Sequence, residues 1–533
     1  NEESREIVLN PKEIKKRYKI AQARKEQWRT IYEEAYEFCL PMRNLYDGYY
    51  EMDSTPGQDK MKRVFDSTAM HSTSRFANKI QSALFPPQQN WCRLMPGEDV
   101  PPDNKIQAQQ VLDLYADKMF SVMRQSGFDL ALGEFLLDLA VGTACMLIQP
   151  GTGDVPIKYT SIPLYQISFD EGPDGGVGYV YRKFKRPFEV IAQEYPDATI
   201  PKEVADKYKE KPQSNVELLE VSYKKDNQVY YCLQTMEGDH KVVSRKLKSM
   251  PFVVSRYMTV AGEVYGRGPC LYALPDIKSL NKVMELTLKN ASLSIGGVFT
   301  AVDDGVLNPQ TIKIQPGAII GVSSNGGGRG PSLAPLPRSG DPQLSEINAQ
   351  SLRMSVKKAL LDEGLPPETG NPRTALEIQA RMSDLSQNLG SAFGRLINET
   401  MFPIVRRTLQ LMDEMGMIEL PLKIDGLQVT IQPVSELAMA SNMGKLQPLF
   451  QYMQIAQGLG ASGMMALKTD AIADYILDQM GIDARLRNTP EEKAALMEQM
   501  QQQAQAMGQM QGAQMNQQEG AAPPPAEEGE VQG

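Results

Sequence analysis

Several stretches of the chain repeat a hydrophobic residue every three or four positions, the spacing that lines one face of an α-helix. In residues 11–40, PKEIKKRYKIAQARKEQWRTIYEEAYEFCL, such a face holds Ile14, Tyr18, Ala21, Trp28, Ile31, Ala35 and Phe38. Pro11 suits a first helical turn and Pro41 stops the run, so the pattern predicts one long helix. Residues 59–84 and 105–125 also read as helices. LALGEFLLDLAVGTACMLI, residues 130–148, starts as helix and turns to strand at its end. From Cys145 to Tyr257 the texture changes to β-type runs: MLIQ, IKYT, YQISF, VGYVYRKF, VELLEVSY, QVYYCLQT and PFVVSRY. Turn signals such as DEGPDGG and KKDNQ separate them, which predicts antiparallel hairpins.

A glycine-rich stretch, VYGRGPCLYALPDIKSLN, follows. Gly266, Gly268 and Pro269 make a sharp turn into a short helical piece. Pro275 is expected to break that piece and open a second helix with Asp276 in its first turn. Along it Ile277, Leu280, Met284, Leu288, Ala291 and Ile295 form one apolar stripe, with Lys278, Lys282 and Lys289 off the stripe. Short strands with Gly and Pro at the corners follow, and Arg329 and Arg338 lie among them. A second helix, Pro342 to Leu361, carries Leu344, Ile347, Leu352, Val356 and Leu360, with Arg353, Lys357 and Lys358. EGLPPETGNP, with its adjacent prolines, is a loop. TALE then supplies a capping box, Thr374 and Glu377, for a long helix through Leu385, Leu389, Phe393, Leu396 and Ile404 to about Met415. Pro403 is expected to kink or split it. Residues 416–490 hold a short β piece, KIDGLQVTIQP, and several helices. A Gln/Met-rich helical run and a disordered acidic tail, GAAPPPAEEGEVQG, close the chain. The fold class is therefore α+β, mostly helical.

At 533 residues and 59.2 kDa the chain is too long for one ordinary core, so several subdomains are expected. Its net charge is -9, without the basic domain that marks a tight duplex-DNA binder. The five cysteines, Cys39, Cys92, Cys145, Cys232 and Cys270, are scattered and form no C-x-x-C pair, which argues for free thiols. The start is charged and has no signal-peptide pattern, and the most apolar window carries Glu134 and Asp138, so no membrane span and synthesis in the cytoplasm are expected.

Glycines ahead of a helix start raise the question of a phosphate cradle. No G-x-x-x-x-G-K-[ST] occurs, and GTGDVP and GRGPCL lack the third glycine of G-x-G-x-x-G. Pro269 also deletes one amide that an anion would need, so the joint reading is preferred. H-E-x-x-H, G-x-S-x-G and EF-hand patterns are absent as well. DEGPDGGVG reads as a hairpin turn, Asp303 and Asp304 as a solvated corner, and His71 and His240 as surface or capping residues. No catalytic residue, cofactor or metal site is assigned.

Four pieces in this order resemble the head-to-tail connector, or portal, family of short-tailed phages. They are RYKIAQARKEQWRTIYEEAYEFCLP, YGRGP with LPDIKSLN, the helix–β–helix insertion, and NPRTALEIQAR. In the last, Leu376 stands where the family often has a second Thr, and the capping spacing is kept. The resemblance runs from about residue 10 to 490.

It implies a ring, a dodecamer, at one capsid vertex of the virion. Double-stranded DNA passes through its axis at packaging and at ejection. The ring docks a terminase large subunit, tail adaptor or nozzle proteins, major capsid protein, scaffold and internal core proteins. Mapped onto this chain it implies a wing (1–262), a first stem helix (263–295), a clip (296–341) and a second stem helix (342–361). A channel loop (362–373) follows, with Glu363, Leu365, Pro366, Pro367, Glu368 and Asn371. Then come a kinked wing helix (374–415), a crown (416–490), a C-terminal barrel helix (491–518) and the acidic tail (519–533).

Twelve chains of charge -9 make an acidic ring, on the order of -100, that repels DNA and lets it slide. Lys278, Lys282, Lys289, Arg353, Lys357 and Lys358 are the candidates to line the channel, salt bridges or solvent exposure being the other reading. Arg329 and Arg338 are candidates for contact with terminase or a tail adaptor. An internal scaffold and a DNA-processing enzyme are the rival readings.

Overall fold

The computed structural model describes residues 9–43, 61–97, 101, 105–172, 175–226, 228–296, 299–301, 333–335, 342–362, 385, 389–419, 429–458, 468–480, 486–488 and 492–503. They fall into two compact units: Asn1–Trp91, Lys118–Pro421 and Pro433–Ser441 in one, and Cys92–Asp117, Leu422–Gln432 and Asn442–Gly533 in the other.

The chain opens with α1 (Pro11–Glu26), α2 (Arg29–Cys39), α3 (Thr68–Leu84), β1 (Cys92–Pro96), α4 (Lys105–Gln125) and α5 (Phe128–Val141). Asn10 caps α1 by accepting from the Lys12 amide, and Pro11 takes the position where no amide is needed. The expected single helix over 11–40 is divided. The Trp28 amide donates to the Lys25 carbonyl, a tightened three-residue step, and α2 restarts at Arg29. Aromatic packing holds this break, because Trp28 lies 5.6 Å from Tyr32 and 6.1 Å from Tyr265, ring centre to ring centre. α3 begins only at Thr68, nine residues later than its pattern suggested.

Two antiparallel sheets follow. The smaller, in the order β3–β2–β9, uses β2 (Thr143–Pro150), β3 (Ile157–Ile162) and β9 (Phe252–Arg256). The larger runs β4–β5–β6–β7–β8 as a meander of β4 (Ile167–Glu171), β5 (Val177–Pro187), β6 (Asn215–Lys225), β7 (Gln228–Thr235) and β8 (Lys241–Leu247). Side chains alternate across it as the pleat demands. Leu219, Val221 and Tyr223 meet Ile14, Tyr18 and Ala21 of α1. Val216 and Leu218 point the other way, to Ile191 of α6 (Phe188–Glu194) and to Tyr195. The short helices α6 and α7 (Lys202–Tyr208), and strand β8, lie where no element was expected.

α8 (Pro269–Gly296) and α9 (Pro342–Ala359) pack on each other and bracket β10 (Phe299–Ala301) and β11 (Leu333–Pro335), which pair antiparallel. This is the expected helix–β–helix insertion. Pro275 does not break α8, which continues through it. The proline forfeits only the bond to the Leu271 carbonyl, and the buried Ala273, Leu274, Ile277 and Leu280 hold the helix around it.

The long helix expected from Thr374 through Leu389 to about Met415 is interrupted at Gly390, whose φ of 50° is not helical, and runs on from there as α10 (Ser391–Leu396), a π turn (Ile397–Met401) and α11 (Phe402–Glu414). In place of a kink or split at Pro403, the chain stays helical and widens just before the proline. In the other unit β1 pairs with β12 (Val429–Pro433). There Arg93 makes a buried two-pronged pair with Asp113, at 3.0 Å on both arms. α12 (Glu436–Gly458), α13 (Thr469–Gln479) and a helix over 492–503 complete the described chain.

Candidate functional site: the helical hairpin and its joint

The stretch Val264–Pro269 threads between the smaller sheet and the start of α8. The Gly266 amide donates to Thr143 Oγ1 at 2.8 Å, the Arg267 amide to the Met258 carbonyl at 2.8 Å, and the Gly268 amide to the Val141 carbonyl at 2.9 Å. The Gly266, Arg267 and Gly268 amides are thus spent inside the protein, and Pro269 has none to offer a phosphate. The glycines are required by close approach. A Cβ on Gly266 would stand 2.4 Å from the Gly142 carbonyl oxygen, and one on Gly268 would stand 2.2 Å from that of Ala140. Arg267 closes the outside, paired with Glu263 on both arms at 2.7 Å and lying 4.9 Å over the Trp28 ring.

Beyond the joint, Ile277 and Leu280 are buried, whereas Leu288 is 50 % exposed and Ile295 88 %. The stripe predicted as one face is thus covered within the chain only at its start. Ile347 and Met354 of α9, at 64 % and 66 %, are also open. The basic residues divide. Lys278 pairs with Glu34 of α2 at 2.9 Å. Lys282 and Lys289 both pair with Glu285, at 3.0 and 2.5 Å. Arg353 pairs with Asp66 at 3.0 Å and Glu346 at 3.3 Å. Lys357 and Lys358 are exposed and make no ion pair among the described residues.

Three residues that the sequence reading passed over fix the hairpin to the segment around α3. Asn281 accepts from the Phe65 amide and donates to the Arg63 carbonyl, both at 2.7 Å. Asp66 caps α3 by accepting from the Thr68 amide at 2.9 Å while holding Arg353. Burial raises the Asp66 carboxyl, but the Thr68 and Arg353 hydrogen bonds outweigh it and hold the group below its usual range. Asp362 accepts from Ser72 at 2.7 Å and Arg75 at 3.1 Å, and Lys79 reaches the Leu361 carbonyl at 3.0 Å. These contacts finish a Schellman-type cap on α9. The Asp362 amide reaches the Lys357 carbonyl at 2.7 Å, and Leu361 takes the left-handed position at φ 55°. Apart from Thr68, two residues beyond Asp66 at the start of α3, the side-chain partners of these residues lie more than 200 positions away, so local sequence does not announce the ties to the hairpin.

Arg329, Arg338, Glu363, Leu365, Pro366, Pro367, Glu368, Asn371, Thr374 and Glu377 lie outside the described residues. His71 is exposed on α3, and His240 sits 3.2 Å from Glu203 beside a turn. All five cysteines are buried free thiols, and burial pushes those of Cys92 and Cys145 well up. Among the described residues no group of His, Cys, Asp and Glu could hold a metal ion, and no helix is long and apolar enough to cross a membrane.

A profile of the bacteriophage head to tail connecting proteins matches residues 11–487. The chain belongs to this family. Among connecting proteins of known name, it is 23 % identical to the portal protein of Enterobacteria phage T3 over 65 % of this chain and 66 % of that one. It is 22 % identical to the portal protein of Escherichia phage T7 over 70 % of each, and to that of Enterobacteria phage SP6 over 86 % of this chain and 87 % of that one. The match thus spans about two thirds of the T3 protein's length and more of the others. A chain in the virion of a native gene transfer agent particle aligns over 76 % of this connecting protein and 91 % of its own length, at 12 % identity and a TM-score of 0.32.

Proposed function

We propose that this chain is the subunit of a phage portal: a ring at one capsid vertex through which double-stranded DNA is loaded and later released. Family membership over residues 11–487 supports the role, and the relatives at 21–23 % identity carry the name portal protein or probable portal protein. The observation that carries the ring is the hairpin. Its joint is built rigidly into the sheet, yet Leu288, Ile295, Ile347 and Met354 stand open on a single chain. Apolar helix faces of this kind are buried when a neighbouring copy packs alongside, and a cyclic ring presents two different faces to do so.

In this reading 1–262 form the wing, 263–295 and 342–361 the stem, 296–341 the clip, 362–373 the channel loop, and 374–415 the helix returning through the wing. Residues 416–490 form the crown, and 491–518 a C-terminal barrel; the exposed Leu496, Met497 and Met500 suit that packing. The ring is a dodecamer; terminase and tail adaptor dock on the clip, with Arg329 and Arg338 as contacts. Capsid, scaffold and core proteins surround the rest. The ion pairs reorder the channel candidates: Lys357 and Lys358 are the best placed to meet phosphates, whereas Lys278, Lys282, Lys289 and Arg353 are engaged within the chain. An elongated helical scaffold would have little use for a three-stranded and a five-stranded sheet.

Negative-stain electron microscopy of the purified chain tests the proposal. Rings with a central hole are expected, of about 710 kDa for twelve copies of the 59.2 kDa chain. Monomers or elongated dimers that persist at raised protein and salt concentration contradict it.

A further inference from the structure

Helix α1 is basic in a chain of net charge -9: it carries seven Lys and Arg against two Glu. Four of the seven are engaged within the protein. Lys15 pairs with Asp239 at 2.8 Å, Arg17 with Glu13 at 3.2 Å and Arg24 with Asp170 at 3.2 Å. Lys25 is buried and donates to the Tyr165 carbonyl at 2.6 Å. The other glutamate of the helix, Glu26, is held by Arg29 at 2.8 Å.

The remaining three, Lys12, Lys16 and Lys19, are exposed and make no ion pair among the described residues. Steps of four and three put them in one row along the helix, about 10 Å from first to last at 1.5 Å per residue. Ile14, Tyr18 and Ala21 are buried against the five-stranded sheet, and by the helical phase the row lies on the opposite side. Glu13, Glu26, Asp170 and Asp239, the acids on and beside this helix, are each taken by another cation. The row is therefore a strip of charge that the subunit does not neutralise. The acidic balance of the rest of the chain reaches it only weakly, because charges more than about 8 Å away are screened at physiological salt.

The make-up of the row selects the partner. Protein interfaces are poor in Lys and rich in Arg and aromatic residues, and here only Ile20, 48 % exposed, and Ala23 flank the lysines. Three ammonium groups on flexible stems meet charge and not shape. Duplex DNA presents one phosphate per about 1.7 Å of axis, so about six lie along the length of the row. We propose that Lys12, Lys16 and Lys19 form a second, sequence-independent contact for duplex DNA, on α1 and not on the hairpin. It takes from the portal reading only that duplex DNA is at hand. With three phosphate contacts it is weak and salt-sensitive.

Filter retention of a relaxed, covalently closed circular duplex on the full chain tests it, because a closed circle cannot thread a ring. The parent is expected to retain the circle at about 50 mM salt. Lys12→Gln, Lys16→Gln and Lys19→Gln combined should weaken retention about tenfold or more and lower the slope of log affinity against log salt by about 2 to 3. The exposed Lys202, Lys209 and Lys211 of α7 and the residues just after it, which alternate with Glu203, Asp206 and Glu210, give a control with the same change of charge. Changing those three to Gln should leave retention within about twofold of the parent, and changing the α1 row to Arg should keep it. Retention by the α1 Gln variant equal to the parent's overturns the proposal. So does an equal loss in the α7 control, which would assign the effect to net charge. Retention of linear duplex without the circle assigns DNA contact to the channel alone, and binding of poly-glutamate without the circle assigns the row to an acidic protein; either overturns it. Ring closure is read separately by native mass, and a lone subunit carries the row intact, so failure of the portal reading and failure of this contact are told apart.

Discussion

Gly268 and Leu361 stand at opposite ends of the hairpin, and backbone geometry decides both. A methyl group at Gly268 would meet the Ala140 carbonyl oxygen at 2.2 Å. That atom belongs to the backbone and cannot swing away, so Gly268→Ala is expected to cost about 3 kcal/mol or more, read as a fall in urea midpoint. Leu361 is the reverse case. It holds φ 55° without being glycine, kept there by the Asp362 contacts to Ser72 and Arg75. Leu361→Gly is expected to raise stability by about 1 kcal/mol in the same assay. Asp66 supplies a pH test. Its folded pKa is lowered, so its stabilisation is present when it is ionised and is lost as pH falls through the acid range below about 4. The stability gap between the parent and Asp66→Asn should be full at pH 7 and narrow as pH falls below about 4. A gap that persists there would mean that the Arg353–Asp66 tie is not what Asp66 contributes.

At the scale of elements, periodicity carried most of what was legible. The alternation in VELLEVSY and QVYYCLQT gave strands, and the stripe from Ile277 onward gave a helix, because one-dimensional spacing maps directly onto one face. It failed where tertiary contact overrode local preference. Trp28 sits in a helical pattern, but its packing on the Tyr32 and Tyr265 rings tightens the chain there. Pro275 and Pro403 both read as breaks, yet packing carries α8 through the first and a π turn absorbs the second. KVVSRKL was passed over because its charges hide the alternation, although its register against β7 is continuous over most of its length. The candidate site was legible only in part. The glycines of the joint show in sequence, since no other residue fits. Asn281, Asp66 and Asp362 do not, since their value lies in distant partners. The basic residues showed their helix but not their pairing, and Glu34, Asp66 and Glu285 take four of the six.

At the scale of the whole molecule, a net charge of -9 and the absence of a basic domain fit a chain that lets DNA pass and does not hold it. The load then falls on assembly, and the open apolar positions of the hairpin are where assembly should register. The most direct measurement is native mass, by mass photometry or analytical ultracentrifugation, of the parent beside Leu288→Asp. Leu288 is half exposed in the single chain, so the substitution should leave the subunit folded. The account predicts closed rings for the parent and folded monomers for Leu288→Asp, because a carboxylate buried between copies has no partner. Intact rings from Leu288→Asp, with the mass of the parent's, would contradict it.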